Sequence, residues 1–320
     1  MLLALARRLL TGIGVVFAAS ILVFFLVEAA PGDPAIIFTD VQGAADVNAR
    51  QREILGLDEP MPARFVKWMR STATLDFGLS LVDRRPVRDR VLEALPRTLV
   101  LSGSSLLLGF AAGLGLALAC ARRPGRFVDQ ALSGTTLLIA STPIFWISSI
   151  AVWRFSIEWP LFPAGGELST TNRFVPGWHL ADRMWHLALP CLVLSGFIAA
   201  HVARYARAAL VEAQKQDFVL AARARGATRG RALLHHALPA SLHSTLALLG
   251  LSMPYLVGGA VLVEMVFEWP GMGTLLLGSL TRKDFPVATP CILLLSLTAV
   301  LGNALADLLA ERLDPRAAQK

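Results

Sequence analysis

Enzymatic and metal chemistry depends on particular residue types at particular spacings, and this chain supplies few of them. Its three cysteines, Cys120, Cys191 and Cys291, share no CxxC spacing. Their odd number argues against a disulfide framework, and they read as inert helix-packing residues. The six histidines, His179, His186, His201, His235, His236 and His243, form no ligand cluster in the sequence. None of the four lysines, Lys67, Lys215, Lys283 and Lys320, follows a glycine, so there is no GxxxxGK[ST] phosphate loop. HExxH and GxSxG are also missing. Glu264 is the nearest candidate for an acid inside an apolar block. Ion-driven carriers place such groups at mid-membrane. Glu264 lies towards the end of its block and reads as an interfacial acid or a helix-packing hydrogen-bond group. What remains is a basic stretch, LAARARGATRGRALLHHALP, residues 220–239. Arg223, Arg225, Arg229 and Arg231 crowd around Gly226 and Gly230, and the run closes on Pro239. Its chemistry is contact with anions, either acids on a protein or lipid headgroups.

The elements that must carry this stretch are membrane helices. Charged residues make up 17% of the 320, and 55% are hydrophobic. A soluble domain carries about 25% charge. Six apolar blocks stand out, at 9–27, 99–121, 132–152, 185–202, 242–267 and 287–309. About 20 apolar residues span a bilayer as a helix. The fold class expected is therefore an all-α membrane protein with six transmembrane helices. Pro190 in the fourth block is tolerable where neighbouring helices satisfy the freed carbonyl. The first block is longer than a signal-peptide core, and Glu28 and Pro31 suit cleavage badly, so it reads as a retained helix. A pI near 10 invites a nucleic-acid reading. The basic residues sit beside membrane spans, however, and topology explains them without nucleic acid.

Lys and Arg in short loops set orientation. With both termini in the cytoplasm, the inside segments gather Arg7, Arg8, Arg122, Arg123, Arg126, Arg204, Arg207, Lys215 and the arginines of 223–231. The basic run VDRRPVRDRVLEALPRT then falls outside, in a loop longer than the roughly 60 residues over which the rule counts well. Residues 86–95 read as an interfacial helix. Three parts follow: an N-terminal transmembrane helix at 1–30, a periplasmic cap at 31–98 containing that interfacial helix, and a five-helix core at 99–320. Turns are expected at 153–184. The segment EWPGMGTLLLGSLTRKDFP, 268–286, is apolar enough to re-enter or lie along the bilayer.

The inner loop, 204–239, is the only long cytoplasmic one. Its composition favours a helix running to Gly226, where glycine suits the left-handed position after a helix. Thr228 can cap a second helix over 229–237. Ala221, Ala222, Ala224 and Gly226 permit close approach by a partner. A solvated positive loop that only fixes topology is the alternative reading.

The stretch DFVLAARARGATRGRALLHHALP resembles the EAA loop of membrane subunits of binding-protein-dependent ABC importers. Leu220, Ala221 and Ala222 occupy the EAA positions, Gly226 is the glycine, His236 takes the Ile position, and Leu238 and Pro239 close the pattern. The Glu and Ile positions depart from it. PGDPA, LGLDEP, DFGLS, PRTLVLS, TPIFWIS, FPAGG, HLALP, VEMVFEWPGMGTLL, KDFPV and LDPR, in that order, resemble the dipeptide/oligopeptide/nickel-type permease branch, first-permease type. The resemblance spans about 9–316 and implies the six-helix type I importer permease (MetI-like) fold. It further implies a multi-pass protein of the bacterial inner membrane that is not itself an enzyme. The implied partners are a second homologous permease, two cytoplasmic ATPases that bind ATP and Mg, and a periplasmic solute-binding protein. The chain itself would hold no cofactor. The ATPase-coupling residues would be Asp217, Ala221, Ala222, Arg223, Arg225, Gly226, Leu238 and Pro239. Gly109, Gly113, Gly115, Gly258 and Gly259 would allow close helix approach. Short peptides are the first substrate reading, and nickel or a metal–chelate complex the second. A stand-alone ion-coupled carrier or channel is the competing class.

Overall fold

The computed structural model describes residues 12, 14–15, 17–22, 24–25, 59–169, 179–251 and 253–313. Most of the expected first helix, the PGDPA motif, LGLDEP up to Asp58, and the carboxy-terminal LDPR beyond residue 313 lie outside the described residues. The described chain is helical, with one isolated antiparallel bridge, Leu79 to Pro86.

Helix α1, Met61–Ala73, starts on Pro60 and Pro62 and is amphipathic. Phe65 and Trp68 pack on Phe24 at ring-centroid distances of 5.2 and 5.6 Å. Helix α2, Val87–Arg122, runs for 36 residues. At 1.5 Å per residue that is about 54 Å, against a hydrocarbon core of about 30 Å. Residues 87–95, expected as a separate interfacial piece, are instead the first turns of this helix. Pro96 does not break it.

The third apolar block is not one straight rod. Helix α3, Phe127–Ser141, and helix α4, Ile144–Val152, which continues as a π-helical turn to Glu158, meet at 98°. Pro143 accounts for the break: a residue before proline is pushed out of the helical region, and Thr142 sits extended at φ −91°, ψ 132°. Helix α5, His179–Ala213, holds Pro190 inside 35 residues. Two short helices follow, α6, Asp217–Ala224, and α7, Arg229–Ala232. The fifth block is described as α8, Leu238–Leu251, and α9, Met253–Val266, on either side of residue 252, which lies outside the described residues. Helix α10, Met272–Thr281, has ten residues, too few to cross a bilayer. Helix α11, Phe285–Leu313, is the last described element.

Among the described residues, α2, α5 and the Phe285–Ala306 part of α11 are long and apolar enough to cross a membrane, with a fourth span if α3 and α4 count as one. The α2–α5 pair is the spine. A Cβ at Gly109 or Gly113 would fall 2.7 Å from the Cβ of Ile198 or Val202, so these two glycines set the helix separation. Gly115 and Gly258 face open space, and Gly259 meets only ordinary contacts, so these three do not.

Candidate functional site: the joint and the lock

The joint hangs from α5. Its helix does not run on to Gly226 as its composition suggests. It stops at Ala213, and Gln214 Nε2 donates to the carbonyl of Ala121 at the end of α2, 3.1 Å away. After this break α6 begins at Asp217, whose acid suits a helix amino terminus. The carboxy end of α6 is closed by two bonds, Gly226 N to Arg223 O at 3.0 Å and Ala227 N to Ala222 O at 3.1 Å. That pattern needs a left-handed residue, and Gly226 has φ +95°. Thr228 then caps α7, its Oγ1 accepting from Arg231 N at 3.3 Å. The expected helix over 229–237 forms, but its second half is a π-helical turn, Leu233–Ala237. Pro239 explains this: it has no N–H for residue 235, and its ring would clash with that carbonyl in a regular helix.

Burial divides the joint into two faces. Val219, Ala232, Leu233 and Ala237 are buried with Ala117, Ala121, Ala206 and Leu210 of α2 and α5. Leu238 packs against the same cluster. Ala222 is buried as well. Expected as a contact for another protein, it turns inward, and Leu238 is half-buried. Asp217, Ala221, Arg223, Arg225, Gly226 and Pro239 are exposed. Beside them lie Phe218, 48% exposed, and Leu220, 46% exposed. Leu220 holds an EAA position, and Phe218 carries a signal sequence reasoning passed over. A large aromatic follows the helix-opening Asp217, and it stands exposed while its neighbour Val219 is buried.

At the opposite end of α2 the structure builds a second constellation. Glu264 is fully buried. Its Oε1 accepts from Thr98 Oγ1 at 2.5 Å, and its Oε2 from Gly273 N at 2.7 Å. Thr98 Oγ1 in turn accepts from Met272 N at 2.7 Å, and Trp269 Nε1 donates to Arg97 O at 3.1 Å. A Cβ at Gly271 would overlap the Glu264 carboxylate. One carboxylate thus ties α9, α2 and the start of α10, and Glu264 is a helix-packing group. Two further pins hold this end. Asp284 accepts from Ser80 Oγ at 2.5 Å and Leu81 N at 3.0 Å, and Gly166 N donates to Phe267 O at 2.9 Å.

No group of three or more His, Cys, Asp or Glu is placed to hold a metal ion among the described residues. His186 Nδ1 is instead 2.9 Å from the Asp182 carbonyl. The fold and its two constellations define a helical membrane protein with a short helix exposed on one face at one end and a buried, hydrogen-bonded carboxylate at the other.

The comparisons name the class. Residues 111–319 match the model of the family described as binding-protein-dependent transport system inner membrane component. Residues 1–102 match its amino-terminal counterpart. The chain belongs to this family. It is 32% identical over 311 residues to the oligopeptide transport system permease protein AppB of Bacillus subtilis (strain 168), covering 97% of each chain. A probable peptide ABC transporter permease protein, y4tP of Sinorhizobium fredii, is 35% identical over 310 residues, again covering 97% of each. The glutathione transport system permease protein GsiC of Escherichia coli (strain K12) is 35% identical over 314 residues, covering 97% of this chain and 96% of that one.

Proposed function

We propose that this chain is one of two permease halves of an ATP-driven importer and carries short peptides handed over by a solute-binding protein. The single observation that carries the mechanical part is the exposed face of α6. Phe218, Leu220 and Ala221 stand outward on an eight-residue helix whose inner face is anchored to α2 and α5. Exposed apolar groups on a fixed knob call for a covering protein. A cytoplasmic ATPase, binding ATP and Mg, is that partner. Closure of two ATPases displaces α6, and the anchored Val219 and Leu233 pass the displacement into α2 and α5. In this reading the chain has six spans, with both termini in the cytoplasm of a bacterial inner membrane. The outer lock faces the solute-binding protein. The peptide class is supported by the relatives, which are named for oligopeptide, peptide and glutathione transport. Metal-chelate transport has no comparable support among the described residues.

Proteoliposomes give the test. The chain assembled with its second permease and ATPases accumulates labelled di- or tripeptide only when ATP and the binding protein are both supplied. Uptake by the chain alone, without nucleotide, overturns the importer reading.

A further inference from the structure

A pocket of about 230 Å³ opens between α2, α3 and α5, at the same end of the bundle as the docking helix. Its lining includes Cys120, Ser133, Thr136, Arg204 and Arg207, with Leu116 and Leu137 as apolar walls. No acid lines it, and the buried acid beside it, Asp129, is already engaged. Asp129 is 2% exposed and accepts from Arg207 Nε at 2.5 Å, Arg207 Nη2 at 2.6 Å and Gly125 N at 2.7 Å. That pair uses one edge of the Arg207 guanidinium and leaves Nη1 spare. Arg204 is exposed and has no acidic partner among the described residues. Two guanidiniums line the pocket and Asp129 pairs with one of them, so the pocket keeps a surplus positive charge. The adjoining surface of α3 is apolar, with Phe127, Val128, Leu137 and Leu138 all exposed.

The lining hydroxyls of Ser133 and Thr136 already donate to Asp129 and to the Ser133 carbonyl, but guanidiniums beside an outward apolar face fit a ligand with an anionic head and a hydrocarbon tail. Basic pockets between membrane helices on the cytoplasmic side bind such headgroups. We propose that this pocket is a lipid site. It receives the phosphate of an anionic phospholipid on Arg204 and the free edge of Arg207, while an acyl chain lies along Leu137 and Leu138. Only the assignment of this end to the inner leaflet rests on the orientation given above. The bound lipid fills the gap between α3 and the α2–α5 spine beside the joint.

The test uses the full chain in its assembled complex, in nanodiscs with a photoactivatable phosphatidylglycerol and no nucleotide or peptide. Cross-linked peptides are mapped by mass spectrometry. The expected result is labelling within 116–137 or 203–207, with a phosphatidylcholine probe labelling these peptides far less. Arg204→Gln lowers labelling about fivefold, the effect expected of one arginine near an anionic surface. Leu137→Trp, which narrows the pocket without touching the Asp129–Arg207 pair, lowers it as well. Equal labelling by both probes, no labelling there, or full displacement by inorganic phosphate overturns the proposal. Because the readout needs neither transport nor ATPase activity, it succeeds or fails separately from the importer reading.

Discussion

Phe218 and Leu233 lie on opposite faces of the joint, and a matched pair of truncations separates their roles. Phe218 is half-exposed and Leu233 is buried. Phe218→Ala removes only surface and should shift stability by no more than about 0.5 kcal/mol. It should nevertheless weaken retention of the ATPases through detergent purification. Leu233→Ala opens a cavity in the inner cluster and should cost about 2 kcal/mol or more, seen as a lower melting temperature. Equal stability losses in the two variants would mean that Phe218 is not a docking residue. Gly226 is a different kind of position. A Cβ there meets nothing within 4 Å, so substitution acts through the backbone alone. Holding φ +95° with a side chain costs roughly 1–2 kcal/mol. Gly226→Leu should still insert in the membrane, but with ATP hydrolysis and uptake uncoupled. A variant that keeps both docking and uptake removes Gly226 from the joint.

At the scale of elements, the Glu264 lock holds three segments with one carboxylate. Thr98 and Glu264 share a hydrogen bond, and each also holds the backbone of the α10 start. Thr98→Val leaves the buried carboxylate and the Met272 N–H each short of a partner, at a cost of about 1–3 kcal/mol. Glu264→Gln places an amide where one of the two donors needs an acceptor. The double variant should lose less than the sum of the single losses, with an interaction of at least about 0.5 kcal/mol in thermal unfolding of the solubilised chain. Additivity would mean that the two residues do not share a network. Such ties also explain which parts were legible in the sequence. Apolar blocks announce α2, α5 and α11 because burial in lipid demands a run of residues. Gly226, Thr228 and the small residues around them mark the turn locally. Pairings between distant positions leave no such trace. Thr98 and Glu264 are separated by 166 residues, and Ser80 and Asp284 by 204. The short motifs DFGLS and KDFPV, PRTLVLS and VEMVFEWPGMGTLL, or FPAGG and VFE are individually uninformative. In the fold they meet as pairs. The inward turn of Ala222 and the break at Gln214–Gln216 were hidden for another reason. Helix propensity does not report where tertiary packing ends one helix and starts the next.

At the scale of the whole molecule, every coupling statement depends on which side of the bilayer holds the joint. The three native cysteines are buried, so the chain offers a quiet background for thiol labelling. Lys215, beside the docking helix, and Arg88, at the far end of α2, are both exposed. Helix α2 alone separates those ends by more than a hydrocarbon thickness, so a reagent that cannot cross lipid must distinguish them. In intact cells an impermeant maleimide should modify the Arg88→Cys chain. It should reach the Lys215→Cys chain only after permeabilisation. The reverse pattern would put α6 outside, away from any nucleotide, and no ATPase could then pull on it. The basic run VDRRPVRDR would have set the topology in that case, overriding the arginines of 204–231. The expected pattern instead places the exposed Phe218, Leu220 and Ala221 where ATP is made, and puts the end held by Glu264 on the side from which solute arrives.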